Sequence, residues 1–152
     1  MNWPQIAPDF EYDGSWRDIC ILDASRREWA LVWQVLSADP DRLSISYNGE
    51  ATTPPADIKA VFRRRQACGA YALYRIGKIR LNCHFLSEEE VEFDFDPRDI
   101  DGPAEAARLE HFLAMLGRAT SREVRLTAEN LPDAIIARYD PALERVLWCA
   151  DA

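Results

Sequence analysis

AYALYRIGKIRLNCHFLSEEEVEFDF, residues 70–95, is the stretch on which the reading of this chain turns. Ala70 to Arg75, Ile79 to Phe85 and Val91 to Phe95 alternate apolar with polar residues, the period of a strand buried on one side. A Gly77-Lys78 turn and a short acidic loop separate the three runs, so they predict an antiparallel meander. Placing Phe85 opposite Val91 and Cys83 opposite Phe93 gathers Leu81, Cys83, Phe85, Val91, Phe93 and Phe95 on one face. The other face must then carry His84 with Glu92, Asn82 with Asp94 and Arg80 with Asp96. The neighbouring strand adds Tyr71, Leu73 and Arg75 to it.

Charge singles out the same region. Ser87 to Asp101 holds Glu88, Glu89, Glu90, Glu92, Asp94, Asp96, Asp99 and Asp101 against Arg98 alone, in a chain of formal charge −8. That balance argues against nucleic acid or an anionic membrane as partner, because both repel it at long range. It favours a non-enzymatic binding module whose acidic face, Glu88 to Asp96 with Arg80, Asn82, His84 and Tyr71, docks a basic protein. The alternative is an enzyme, with His84, Glu92 and Asp94 binding a divalent metal or working as an acid-base set, since a carboxylate beside an imidazole raises its pKa. The plain reading of the same residues is a solvated strand face with ordinary charge pairing. No cofactor is implied.

Outward from the meander, Trp16 to Leu22 ends in the run Ile19-Cys20-Ile21-Leu22, which suits a strand covered on both faces. Ser25-Arg26-Arg27-Glu28 is a capping box, and Trp29, Val32, Trp33 and Leu36 follow at the spacing of one helix face. A strand from Leu43 to Tyr47 stops at Asn48-Gly49. Thr53-Pro54-Pro55 opens a second helix with Ile58, Val61 and Phe62 inward, and Arg63-Arg64-Arg65 at its end suits the helix dipole. Gly102-Pro103 starts a third helix, with Leu109, Phe112, Leu113 and Leu116 inward and His111 off that stripe, until Gly117. Arg122 to Thr127, Ala134 to Tyr139 and Arg145 to Cys149 read as strands, the last two joined across Asp140-Pro141-Ala142-Leu143. The predicted fold is α+β: one domain over residues 1–152, with a mainly antiparallel sheet of about six to eight strands under three helices, in the order β-α-β-α-βββ-α-βββ. Residues 1–12 read as an extended arm whose Trp3 packs on the sheet or clasps a second subunit, which makes a homodimer a third reading.

Several motifs fail. Asp99-Ile100-Asp101-Gly102 matches the middle of a calcium loop, but Pro97 takes its first ligand position and Arg108 the place of its bidentate Glu. Asp99 and Asp101 then read as favourable charge and cap at the start of the third helix. Gly77-Lys78 lacks the following Ser or Thr of a phosphate loop. Cys20, Cys68, Cys83 and Cys149 have no metal-site spacing and read as reduced, mostly buried thiols, Cys20, Cys83 and Cys149 within apolar strand-like runs. Met1 to Phe10 lacks the basic start and apolar run of an export signal, so a cytoplasmic protein is expected. Arg outnumbers Lys sixteen to two, a balance common where a bacterial genome is GC-rich. In general character, a small acidic α+β chain with a dense carboxylate face resembles the immunity and adaptor proteins of bacteria, a likeness of composition that transfers no residues.

Overall fold

Alternation along the strands sorts the molecule into a sheet and a helical layer laid on one side of it. The computed structural model describes residues 1–65 and 69–151. Among the described residues nine strands form one sheet: β1 (Arg17–Ile21), β2 (Leu43–Tyr47), β3 (Glu50–Thr52), β4 (Ala70–Ile76), β5 (Ile79–His84), β6 (Val91–Phe95), β7 (Val124–Ala128), β8 (Leu131–Asp140) and β9 (Arg145–Trp148). They lie in the order β3-β2-β4-β5-β6-β1-β7-β8-β9, and every pairing is antiparallel. Four helices accompany them: α1 (Trp3–Ile6), α2 (Arg26–Ser37), α3 (Ile58–Arg65) and α4 (Pro103–Thr120). Among the described residues no helix is long and apolar enough to cross a membrane.

The helices share one face. Trp29 of α2 lies 5.4 Å from Phe85, Phe62 of α3 meets Phe85 edge-on at 6.0 Å, and Phe112 of α4 meets Phe93 edge-on at 5.4 Å. Ile19 stands opposite both Phe93 and Leu126, so the apolar side runs without a break through the centre of the sheet. Ser25 caps α2 in the expected box, with Glu28 accepting from the Ser25 amide at 2.9 Å.

The structure departs from the sequence reading at the margins. Residues 1–12 are not extended: α1 runs into a 3-10 turn at Ala7–Phe10, and Ile6 and Phe10 are buried. Trp3, Ile6 and Phe10 do follow helical spacing; Pro4 and Pro8 obscured it, yet each sits at the start of its own turn, where its missing N–H costs nothing. Trp3 stacks on Phe10 at 6.4 Å, and Phe10 meets Trp148 edge-on at 6.2 Å, so the arm's aromatic anchors are engaged within the chain. The strand count rises to nine because Asn48 and Gly49, both at positive φ, fold β3 back on β2 in a tight hairpin. β3 carries no apolar alternation, and all three of its residues are exposed.

The helix expected from Thr53-Pro54-Pro55 begins at Ile58, where Asp57 accepts from the Lys59 amide at 2.8 Å. Ile58, Val61 and Phe62 are buried as expected. α4 does not stop at Gly117 but continues to Thr120, with Ser121 left-handed after it. Asp99 and Asp101 do not cap that helix: Asp99 accepts from the Arg80 amide, and Asp101 pairs with Lys78. Cys149 is exposed in a 3-10 turn beyond the end of β9, whereas Cys20 and Cys83 are buried free thiols. Cys68 lies outside the described residues.

Candidate functional site

Strand parity puts the predicted polar residues on the face away from the helices. His84 stands opposite Glu92 and Asn82 opposite Asp94, while Tyr71, Leu73 and Arg75 stand opposite His84, Asn82 and Arg80. Arg80 and Asp96 share a hollow of about 200 Å³ with Trp16, Tyr71 and Leu73. They do not pair directly: Asp96 closes a salt bridge to Arg98 at 2.7 Å, and Arg98 lies 4.0 Å over the Tyr12 ring.

At the centre, His84 Nε2 meets Asp94 Oδ2 at 2.6 Å. The second oxygen of Asp94 accepts from Asn82 Nδ2 at 2.8 Å, and the Asn82 carbonyl accepts from the Tyr71 hydroxyl. This row of side chains crosses three strands and fixes the Asp94 carboxylate. It also raises the His84 pKa: the Asp94 hydrogen bond dominates and burial opposes it.

The strand order brings in residues the sequence did not assign to the site. β1 lies against β6, so Asp18 stands opposite Asp94 and Cys20 opposite Glu92. Asp18 is only 8% exposed. Asn130, in the β7–β8 turn, donates its amide to Asp18 Oδ2 at 2.8 Å, and Glu129 beside it accepts from the Trp16 amide at 3.2 Å. Asp18, Glu90 and Glu92 line a second hollow of about 230 Å³, rimmed by Asn130 and Pro132. Asp18, Glu90, Glu92 and Glu129 have no Lys or Arg in ion-pair contact among the described residues. Burial, followed by Asp94 and Glu129, holds the Asp18 carboxyl above its usual range. Burial, followed by Asp18 and Glu90, does the same to Glu92.

The remaining candidates divide. Glu88 lies off this face in a salt bridge to Arg26 at 2.7 Å, and Glu89 is exposed in the loop, its carbonyl accepting from the Ala24 amide. The sequence expectation of a metal held by His84, Glu92 and Asp94 is not met: among the described residues no three His, Cys, Asp or Glu side chains converge where one ion could be held. Cys20 adjoins the carboxylates but supplies no nucleophile, because burial and the neighbouring acids push its thiol up to about 12. In the basic run, Arg64 lies 4.0 Å over the Tyr47 ring and Arg65 donates to the Phe85 carbonyl.

Asp18, Glu92 and His84 all hold protons more tightly in the folded chain than in the unfolded one. Their joint contribution to stability therefore falls as pH rises, through the raised carboxylate range and then upward from about 6.5, the ordinary His value. Asp18→Asn keeps an oxygen for the Asn130 amide and removes the charge. It is expected to stabilise the fold by about 1 kcal/mol at neutral pH. The gain should vanish as pH falls through the folded Asp18 pKa, where the native side chain is itself neutral. Urea unfolding of both proteins across that range measures it; a gain independent of pH would contradict the assignment.

Comparison with known proteins gives no match to this chain among family models, curated sequences or solved structures.

Proposed function

We propose that this chain is a non-enzymatic protein-binding module whose open sheet face docks a basic protein, taking an Arg or Lys side chain of that partner beside Asp18 and Glu92. The observation that carries the reading is that Asp18, Glu90 and Glu92 line one hollow, with Asp94 and Glu129 close enough to raise the Asp18 pKa, while Asp18, Glu90, Glu92 and Glu129 have no Lys or Arg in ion-pair contact among the described residues. Carboxylates that repel one another and are partly desolvated have lost their hydration cost in advance. An incoming cation is therefore attracted more strongly than it would be to the same charges spread over a wet surface. Tyr71 and Trp16, both more than a third exposed at the other hollow, offer flat rings on which an Arg side chain can lie.

A hexa-arginine peptide serves as the probe. Titration followed by backbone NMR is expected to move the amides of β5, β6 and β1 together, with affinity falling steeply as salt rises. Glu92→Lys is expected to weaken binding by tenfold or more, since it places a like charge beside the ligand. Shifts elsewhere on the surface, or binding indifferent to both ionic strength and Glu92→Lys, would dismiss the reading.

One arrangement favours a second reading, an acid-base enzyme: the His84–Asp94 bond, held in line by Asn82, orients the imidazole and leaves Nδ1 for a substrate. In that case His84→Gln abolishes turnover of a substrate that binds unchanged. Under the docking reading the same substitution has little effect on peptide affinity.

A further inference from the structure

A second candidate site lies on the opposite layer. It is a groove of about 830 Å³ between the end of α2, the middle of α4 and the β4–β5 turn, within the size range of small-ligand sites. Its floor is apolar, formed by Ile76, Phe112 and Met115 with the Tyr74 ring, which packs on Phe112 at 5.7 Å. Its rim is basic, although the chain as a whole is acidic: Arg42, Arg108 and His111 line it, with Asp39 the one carboxylate among the lining residues.

Two details point to an anionic ligand. Tyr74 is 5% exposed as a residue, and its hydroxyl, which has no hydrogen-bond partner among the described residues, is not one of the enclosed polar atoms: it keeps access to the groove that Tyr74 lines. A hydroxyl open to the groove and free of protein acceptors is available to donate to a bound oxygen. Arg42 lies within electrostatic reach of that hydroxyl. It spends Nε on Asp39 at 2.6 Å and Nη1 on the Arg75 carbonyl at 3.4 Å, and its Nη2 has no acceptor among the described residues. At the far end Arg108 folds over Gly77 in the β4–β5 turn. A Cβ there would fall 2.6 Å from Arg108 Nη1, so the glycine makes room for the guanidinium to close that end of the groove.

We propose that this groove binds a small apolar carboxylic acid, its carboxylate received by Arg42 and the Tyr74 hydroxyl and its apolar body laid on Phe112 and Met115. An oxygen between Arg42 and Tyr74 accepts from both at once, which an alcohol does less well and a cation not at all. The proposal is independent of the open sheet face, because the helical layer and the sheet separate the two.

The chain has two methionines, and one of them lines the groove, so a methyl-labelled methionine spectrum reads occupancy directly. Titration with octanoate is expected to move the Met115 methyl saturably and leave Met1 in place, with octylammonium binding at least tenfold more weakly. Tyr74→Phe, which keeps the ring, and Arg42→Gln, at an exposed side chain, are each expected to weaken octanoate about tenfold. Met115→Trp fills the groove and should abolish binding. A Met115 methyl unmoved by octanoate, equal binding of octylammonium, or octanoate affinity unchanged in both Tyr74→Phe and Arg42→Gln would each overturn the proposal.

Discussion

Trp29→Ala is expected to remove about 3–5 kcal/mol of stability, a large share of the roughly 5–15 kcal/mol that a domain ordinarily holds. The ring is fully buried and joins three parts of the chain. It meets Phe62 of α3 edge-on at 5.2 Å, lies 5.4 Å from Phe85 at the end of β5, and donates Nε1–H to the Ser87 carbonyl at 3.1 Å. Truncation therefore opens a cavity bounded by two helices and the hairpin loop that leads into the acidic strand. It also leaves the Ser87 carbonyl without its indole donor. Trp29→Phe separates the two costs: it keeps most of the packing and should lose about 1–2 kcal/mol, largely the carbonyl's missing bond. Urea unfolding with unchanged slope gives both numbers; a loss under 1 kcal/mol for Trp29→Ala would mean that the three elements do not depend on this ring.

Gly117→Ala should destabilise the protein even though alanine is the better helix former. Gly117 lies inside α4 against the fully buried ring of Tyr139 in β8, and a methyl group there would fall on Cδ1, Cγ and Cε1, well inside van der Waals contact. The ring is enclosed and cannot swing aside, so either α4 or β8 must move. Overpacking of this kind costs about 1–3 kcal/mol and occasionally more, against about 1 kcal/mol returned by helix propensity. A net loss of about 1 kcal/mol, and up to about 2, is expected, lowering the melting temperature by roughly 2–8 °C. In a Tyr139→Leu background the clash is relieved, and Gly117→Ala should then be neutral or stabilising. A double-mutant cycle without that reversal would show that the ring is not what forbids a side chain at 117.

Gly117 also shows where a sequence reading runs out. A glycine near the end of an apolar stripe ordinarily marks a helix terminus, and nothing local distinguishes that case from a notch cut for an aromatic ring more than twenty positions later. Where the pattern was local and periodic it was sufficient. Alternation in β5 and β6 fixed which side chains leave the sheet, and the register Cys83 with Phe93 follows from it. The capping box at Ser25 and the stripe from Trp29 to Leu36 are of the same kind.

The candidate site was legible only in the part built from neighbouring strands. Asp18 and Glu129 join it through the strand order, and hydrophobic period says nothing about which strand lies beside which. A signal for Asp18 did exist. It alternates with Ile19 and Ile21 in a strand buried along its whole length, where a lone carboxylate is expensive unless it is placed for a purpose. The continuous apolar run Ile19 to Leu22 beside it is the stronger local pattern and masks the alternation. The metal reading failed for the opposite reason, since correct cross-strand pairing sets the residue types side by side but does not turn their oxygens toward one point.

The position of β1 has a consequence for how the chain assembles. Although nearly first in sequence, it is the joint between two hairpin-built halves, with Ile19 beside Phe93 on one side and Leu126 on the other. The halves can zip from nearby segments, but the joint requires closure of loops of about 70 and 100 residues, slow steps in a topology of high contact order. On the ribosome β1 must therefore wait, its apolar edges unpaired, until β6 and then β7 have emerged.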